Sequence, residues 1–297
     1  MEEREVLQAL FSAPLQKVTY MEPGYSGHAS DVWLVETERE EAVVRASRWH
    51  TAPDNEFWWG CWRLFGLDPR QSVHMEAAAW LLAGCGPIAC PRILRRTVLD
   101  GREYVVVQRM PGEALQSFSG QPSELLREFG RWLASVHSQT FSHYGNPAGT
   151  KKEPAPCFHT DMVQTMAALV GKFYGQCPPM RKELGEIQCL AGALPDVVQT
   201  SLVLVDMDPT QFLTDGTRIT AVVDTEAYVL APRELDLIGL EYVMDPASAA
   251  LFAEGYASVL PLPDLQPVRR CYRFLYRLLD VQGHVPLKEW YGQRKLF

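Results

Sequence analysis

The sequence predicts an α+β chain of two lobes, a smaller strand-rich one over residues 1–110 and a larger, mainly helical one over 111–297. Three observations carry this. Strand-type runs crowd the first third, at 31–35, 42–46 and 104–107, whereas helical spacing dominates further on. Met110-Pro111-Gly112 punctuates the chain where one regime gives way to the other. At 297 residues the chain is also longer than a single hydrophobic core usually grows.

The elements follow in order. Residues 5–12 read as a short helix, and 17–20 lead into the turn-rich stretch Pro23-Gly24-Tyr25-Ser26-Gly27. The runs at 31–35 and 42–46 flank a charged turn, which makes a hairpin with a glycine-bearing loop at its entrance. Residues 49–72 are an insertion rich in aromatics: Trp49, Phe57, Trp58, Trp59, Trp62 and Phe65. Such clusters mostly pack in a core, yet adjacent Trp58 and Trp59 cannot both face the same one. The alanine-rich stretch 76–83 is a helix and 104–107 a strand. Residues 123–138 show helical periodicity through Leu125, Leu126, Phe129, Trp132, Leu133 and Val136. A Lys/Pro-rich loop at 150–157 precedes a helix at 160–174, and strands at 202–205 and 219–223 precede helices to the end. There Arg269, Arg273 and Arg277 form an i, i+4 ladder beside Arg270, expected as a solvated helix face.

Composition excludes several classes. A formal charge of −8 and 47% hydrophobic residues argue against a disordered chain and against nucleic acid as the main partner. No run of 18 apolar residues exists, so no membrane partner is expected, and the acidic Met-Glu-Glu-Arg-Glu start lacks the apolar stretch of a signal peptide. The seven cysteines have no CxxC spacing, which suits reduced thiols in a cytoplasmic protein. The charge is uneven: residues 196–256 hold 11 acids and two bases, a net of −9, leaving +1 elsewhere. Clustered carboxylates are costly without a cation to offset them. A metal or cationic ligand and a merely solvated acidic surface both fit that excess.

The informative stretch is Leu202-Val203-Leu204-Val205-Asp206-Met207-Asp208-Pro209-Thr210-Gln211. An apolar strand delivers Asp206 into a polar loop, an amide follows five residues later at Gln211, and Asp224 ends the next strand thirteen residues beyond. Phosphoryl transfer of the kinase type needs these parts: an acid to take the acceptor hydroxyl's proton, and hard oxygen ligands for the Mg²⁺ that bridges ATP phosphates. Either half alone is a weak signal, since Asp at strand ends is common. Asp208 reads as loop filler, Glu226 as facing a cationic substrate or solvent, and His137 as a structural histidine.

These residues resemble the aminoglycoside phosphotransferase/choline kinase-like family, a branch of the protein-kinase-like fold, over about residues 18–260. That family's catalytic loop reads His-Gly-Asp-x-x-x-x-Asn; Asp206 matches the Asp, while Leu204-Val205 replace His-Gly and Gln211 replaces Asn. Leu133-Ala134-Ser135-Val136-His137 and Pro232-Arg233-Glu234-Leu235-Asp236-Leu237 resemble two further family segments, the latter placing Asp236 as a buried brace of the catalytic loop. The resemblance implies ATP and Mg²⁺ as cofactors, Asp206 as catalytic base, and Gln211 and Asp224 as metal ligands. It also implies a nucleotide-covering loop at Gly24, Ser26 and Gly27, Arg45 in the phosphate-gripping position with Glu76 behind it, and a hinge at Gln108 and Met110. A small-molecule acceptor is expected, the acidic window suiting a cationic one such as an aminoglycoside. The missing His-Gly leaves a nucleotide-binding pseudokinase as the alternative.

Overall fold

A computed structural model describes residues 3–22 and 29–297. The chain opens with α1 (Glu3–Gln8) and β1 (Leu15–Tyr20), then β2 (Ser30–Thr37) and β3 (Glu41–Ser47). Two helices follow, α2 (Glu56–Phe65) and α3 (Val73–Leu82), then β4 (Ile93–Leu99), β5 (Arg102–Gln108) and the short β6 (Glu113–Ala114). Next come α4 (Ser123–His137), β7 (His143–Gly145), β8 (Lys152–Pro154), α5 (Phe158–Phe173) and α6 (Pro178–Ala191). The remainder is β9 (Ser201–Leu204), β10 (Phe212–Thr214), β11 (Ile219–Val222), β12 (Tyr228–Ala231), α7 (Glu234–Val243), α8 (Pro246–Ala257), α9 (Arg269–Leu279) and α10 (Leu287–Tyr291).

The architecture is bilobal. The first five strands form one antiparallel sheet, ordered β1-β2-β3-β5-β4. Alternation along β2 and β3 sends Trp33, Val35, Ala42, Val44 and Ala46 to one face, where they meet Leu7, Phe11 and Val106 in a small core. Most of the other buried apolar side chains pack into a second, larger core. Beyond Gln108 the chain turns at Gly112, whose φ of 119° and close approach to the Thr214 carbonyl (3.1 Å from an added Cβ) require glycine. It then pairs β6 with β10, in the three-stranded order β11-β10-β6.

The aromatic insertion crosses between the lobes. Asn55 caps α2 by accepting from the Trp58 N–H at 2.9 Å, and Gly66 closes it in the left-handed conformation. Cys61, Leu64 and Phe65 then bury in the larger core, although they precede the break near 110. Trp58 and Trp59 do diverge: Trp58 is buried against the cleft described below, and Trp59 packs edge-on against Phe173 of α5.

Two helices of the larger lobe cross at backbone contact. A Cβ on Gly130 of α4 would lie 2.2 Å from the Phe252 carbonyl of α8, and one on Gly255 would lie 2.1 Å from the Arg127 carbonyl. The arginine ladder of α9 is not solvated. Arg269, Arg273 and Arg277 are buried, and of the helix's eleven residues only Arg270 lies outside the buried set. Arg269 and Arg273 converge on Glu241 of α7, at 3.3 and 2.7 Å, and Arg273 also donates to the carbonyls of Gln293 (3.0 Å) and Arg294 (2.6 Å). The seven other residues of α9 form one broad apolar arc and the four arginines share the opposite face, so the helix is two-faced and its arginine side is covered by Glu241 and residues 293–297.

Candidate active site

A cleft of about 990 Å³ lies between the lobes. Its roof is the outer face of the five-stranded sheet, with Val32, Leu34, Val43, Ile93 and Val107, and its floor includes Leu213 and Val223. The chemistry-bearing residues enter from two antiparallel pairings. β9 pairs with β12, and the β10–β11 hairpin lies between them in sequence. Asp206 therefore emerges just past β9 and Asp224 just past β11, both into the same cleft.

The loop carrying Asp206 is held from behind. Asp236, fully buried, accepts from the Leu204 N–H at 2.9 Å and pairs with His137 Nε2 at 3.0 Å. His137 Nδ1 in turn meets the Tyr256 hydroxyl at 2.9 Å, and Arg233 donates to that hydroxyl at 3.0 Å. Burial pushes the Asp236 carboxyl up while His137 and the Leu204 N–H oppose it. The chain thus braces its loop through backbone and Asp236. Leu204 and Val205, where the family has His-Gly, fill apolar core instead, with the Val205 N–H on the Ala227 carbonyl at 3.3 Å.

Asp208 is more than filler. It caps the short 3₁₀ turn 209–211, accepting from the Thr210 N–H at 2.8 Å, while Gln211 Oε1 accepts from the Asp208 N–H at 3.4 Å. Gln211 is buried and lines the cleft. Asp224 takes a left-handed backbone, φ 62°, a conformation that Asp tolerates better than most side chains. It contacts Arg45 Nη2 at 2.8 Å.

Arg45 differs from expectation in its second partner. Glu76 does not stand behind it: Glu76 is 58% exposed and pairs with Arg96 of β4 at 2.9 Å. The inward positions of α3 are His74, Met75, Ala78 and Leu82, which turns Glu76 outward with exposed Trp80. The acid that does meet Arg45 is Glu226, at 2.8 Å, and its Oε1 also accepts from Ser30 Oγ at 2.7 Å. Glu226 lines the cleft, with its carboxylate engaged by Arg45 and Ser30 and largely shielded from solvent. Gly24, Ser26 and Gly27 lie outside the described residues. Gln108 and Met110 line the cleft, with the Gln108 N–H engaged by the Arg92 carbonyl at 2.9 Å.

Electrostatically the site is unbalanced. Burial, Asp224 and Asp208 all push the Asp206 carboxyl up, to about 7, and among the described residues no neighbouring cation opposes them. Among the described residues no three His, Cys, Asp or Glu side chains are grouped to hold a metal on their own. Mg²⁺ characteristically uses one or two carboxylates and completes its shell with water and substrate phosphates. Asp224 and the Gln211 amide oxygen are donors of the right hardness. The cleft is also lined by Asn55, Glu56, Phe57 and Trp58 of the insertion and by Asp280 to Gly283 after α9.

A family model described as the phosphotransferase enzyme family matches residues 22–275. No curated protein sequence is significantly similar to the chain. Among solved structures, a spectinomycin phosphotransferase in complex with ADP and spectinomycin superposes with a TM-score of 0.64 at 13% identity, over 95% of this chain and 86% of that one. A thermostable mutant of an aminoglycoside phosphotransferase, with ADP and hygromycin B, gives 0.62 at 15% identity over 95% and 90%. A macrolide 2'-phosphotransferase from Brachybacterium faecium gives 0.61 at 16% identity over 92% and 91%.

Proposed function

The chain belongs to the phosphotransferase enzyme family, and from that premise we propose that it moves the γ-phosphoryl group of ATP to a hydroxyl of a small, amine-bearing molecule. One observation carries the reading. Asp206, raised to about 7, opens into the same cleft as Arg45, Asp224 and Gln211, beside apolar side chains of both lobes.

In this reading the adenine lies between Val32, Val43 and Val107 above and Leu213 and Val223 below, with backbone groups near Met110 at its edge. Arg45 donates to the phosphates, its guanidinium carrying more N–H groups than its two carboxylate partners use. Asp224 and Gln211 would hold Mg²⁺, which when bound offsets phosphate charge and aligns the γ-phosphoryl group. Asp206 orients the acceptor hydroxyl and takes its proton. The freed oxygen bonds to the γ-phosphorus as the bond to the β–γ bridging oxygen breaks, and ADP leaves with the electron pair. A base with a pKa near the operating pH suits this task. The acceptor end presents Glu56 and Asp280 beside Phe57 and Trp58, a setting that favours ammonium groups through carboxylate pairing and ring contact.

The test is transfer of labelled phosphate from ATP to a panel of aminoglycosides, choline-like amines, amino-alcohols and neutral sugars. Turnover should favour amine-bearing acceptors. Tight nucleotide binding with no turnover on any member would establish the pseudokinase alternative instead.

A further inference from the structure

We propose that Glu226 is the positioning residue for Arg45, the task that Glu76 was expected to perform, and that it also ties the roof of the cleft to its floor. The inference rests on the phosphate role given to Arg45 above. Glu226 lies two residues past Asp224, in the loop leading to β12, and so belongs to the larger lobe. Its Oε1 accepts at once from Arg45 of β3 and Ser30 of β2, at 2.8 and 2.7 Å. Arg45 and Glu226 side chains are each only 12% exposed, so this contact is shielded from solvent and from salt. Asp224, the other carboxylate on Arg45, is 38% exposed and faces the cleft where the metal and phosphates would compete for it. Glu226 is then the acid that keeps the guanidinium in place when Asp224 is engaged elsewhere. The Ser30 contact adds a second consequence: one carboxylate registers β2 and β3 against the loop of Asp224.

AMP-PNP titrated calorimetrically tests this. Glu226→Gln keeps the shape and removes the charge, and is expected to weaken AMP-PNP about tenfold, with Ser30→Ala weaker by about threefold. In kinetics the loss should fall on the nucleotide KM more than on kcat. Arg45→Ala should also weaken binding, and adding Glu226→Gln to it should cost less than twofold more, since a residue acting through Arg45 has nothing left to position. The loss should persist when Mg²⁺ is omitted, and Glu76→Gln should bind as wild type. The proposal is overturned if Glu226→Gln binds normally while Arg45→Ala does not, if the two losses multiply, if the Glu226→Gln loss vanishes without Mg²⁺ (a metal-ligand role), or if Glu76→Gln reproduces it. Normal binding by Arg45→Ala would instead overturn the phosphate role, and this inference with it.

Discussion

Glu241 and Asp206 are both acids of the larger lobe, and their surroundings differ in kind. Glu241 is fully enclosed, and its two oxygens receive Arg269, Arg273 and the Leu296 N–H (3.0 Å). Among the described residues Asp206 receives no cation, and burial, then Asp224 and Asp208, drive it up to about 7. The first arrangement satisfies its charge internally and fixes the chain's last residues against α7 and α9. The second leaves its charge to be answered by something that arrives. Buried charge is thus architecture where every partner comes from the chain, and chemistry where one is missing.

The comparison breaks most visibly at Glu241. Replacing it by Ala strands two buried arginines, and the expected cost is about 3–5 kcal/mol of stability, read as a lower midpoint in urea unfolding. Turnover by the protein still folded should be unchanged. Asp206→Ala should do the opposite: kcat falls by about 10²-fold or more, nucleotide affinity by calorimetry stays near wild type, and the urea midpoint does not drop. A drop at Asp206 as large as at Glu241 would erase the distinction.

Proton linkage sharpens it. The folded Asp206 titrates near 7, above the ordinary carboxylate range near 4. Between those values the folded chain holds a proton that the unfolded chain has released, so this group's contribution to stability falls as pH rises from about 4 through about 7. Unfolding measured across that window should show the slope in wild type and a shallower one in Asp206→Asn. The same ionisation should set the acid limb of kcat/KM near 7 in the free enzyme. The smallest effect belongs to Asp208→Asn, which retains the cap oxygen yet removes one like charge. Its acid limb should move to lower pH, with little change in the urea midpoint.

Much of this was legible in the sequence where a side chain's role follows from its place along one element. Asp206 and Asp224 stand at strand ends because apolar runs stop there, and His137 falls on the inward face of amphipathic α4, whereas Asp236 was placed by the resemblance of its segment to the family. What escaped depended on partners distant in sequence. Glu76 looked suited to Arg45, yet the phase of α3 is set by Met75, Ala78 and Leu82, and that phase points it at Arg96. Glu226 meets Arg45 across 181 residues through the closure of the two lobes, which no local period encodes. The arginine ladder misled because an i, i+4 repeat is the same whether water or a chain terminus covers it. With its four arginines on one face and its apolar residues on the other, α9 has the pattern of a half-exposed helix, and only the partners Glu241 and residues 293–297 reveal the burial.

The glycine contact between α4 and α8 reaches further than packing. His137 ends α4 and Tyr256 follows Gly255 on α8, so the separation of these two helices sets how the histidine, and through it Asp236, grips the Leu204 N–H. A methyl group at Gly130 would wedge that separation open from the far side of the lobe. In a mutational scan for lost phosphotransfer, Gly130 and Gly255 would therefore score beside the cleft residues, and a map of sensitive positions would trace a line from a helix crossing to Asp206 rather than a ring around the substrate.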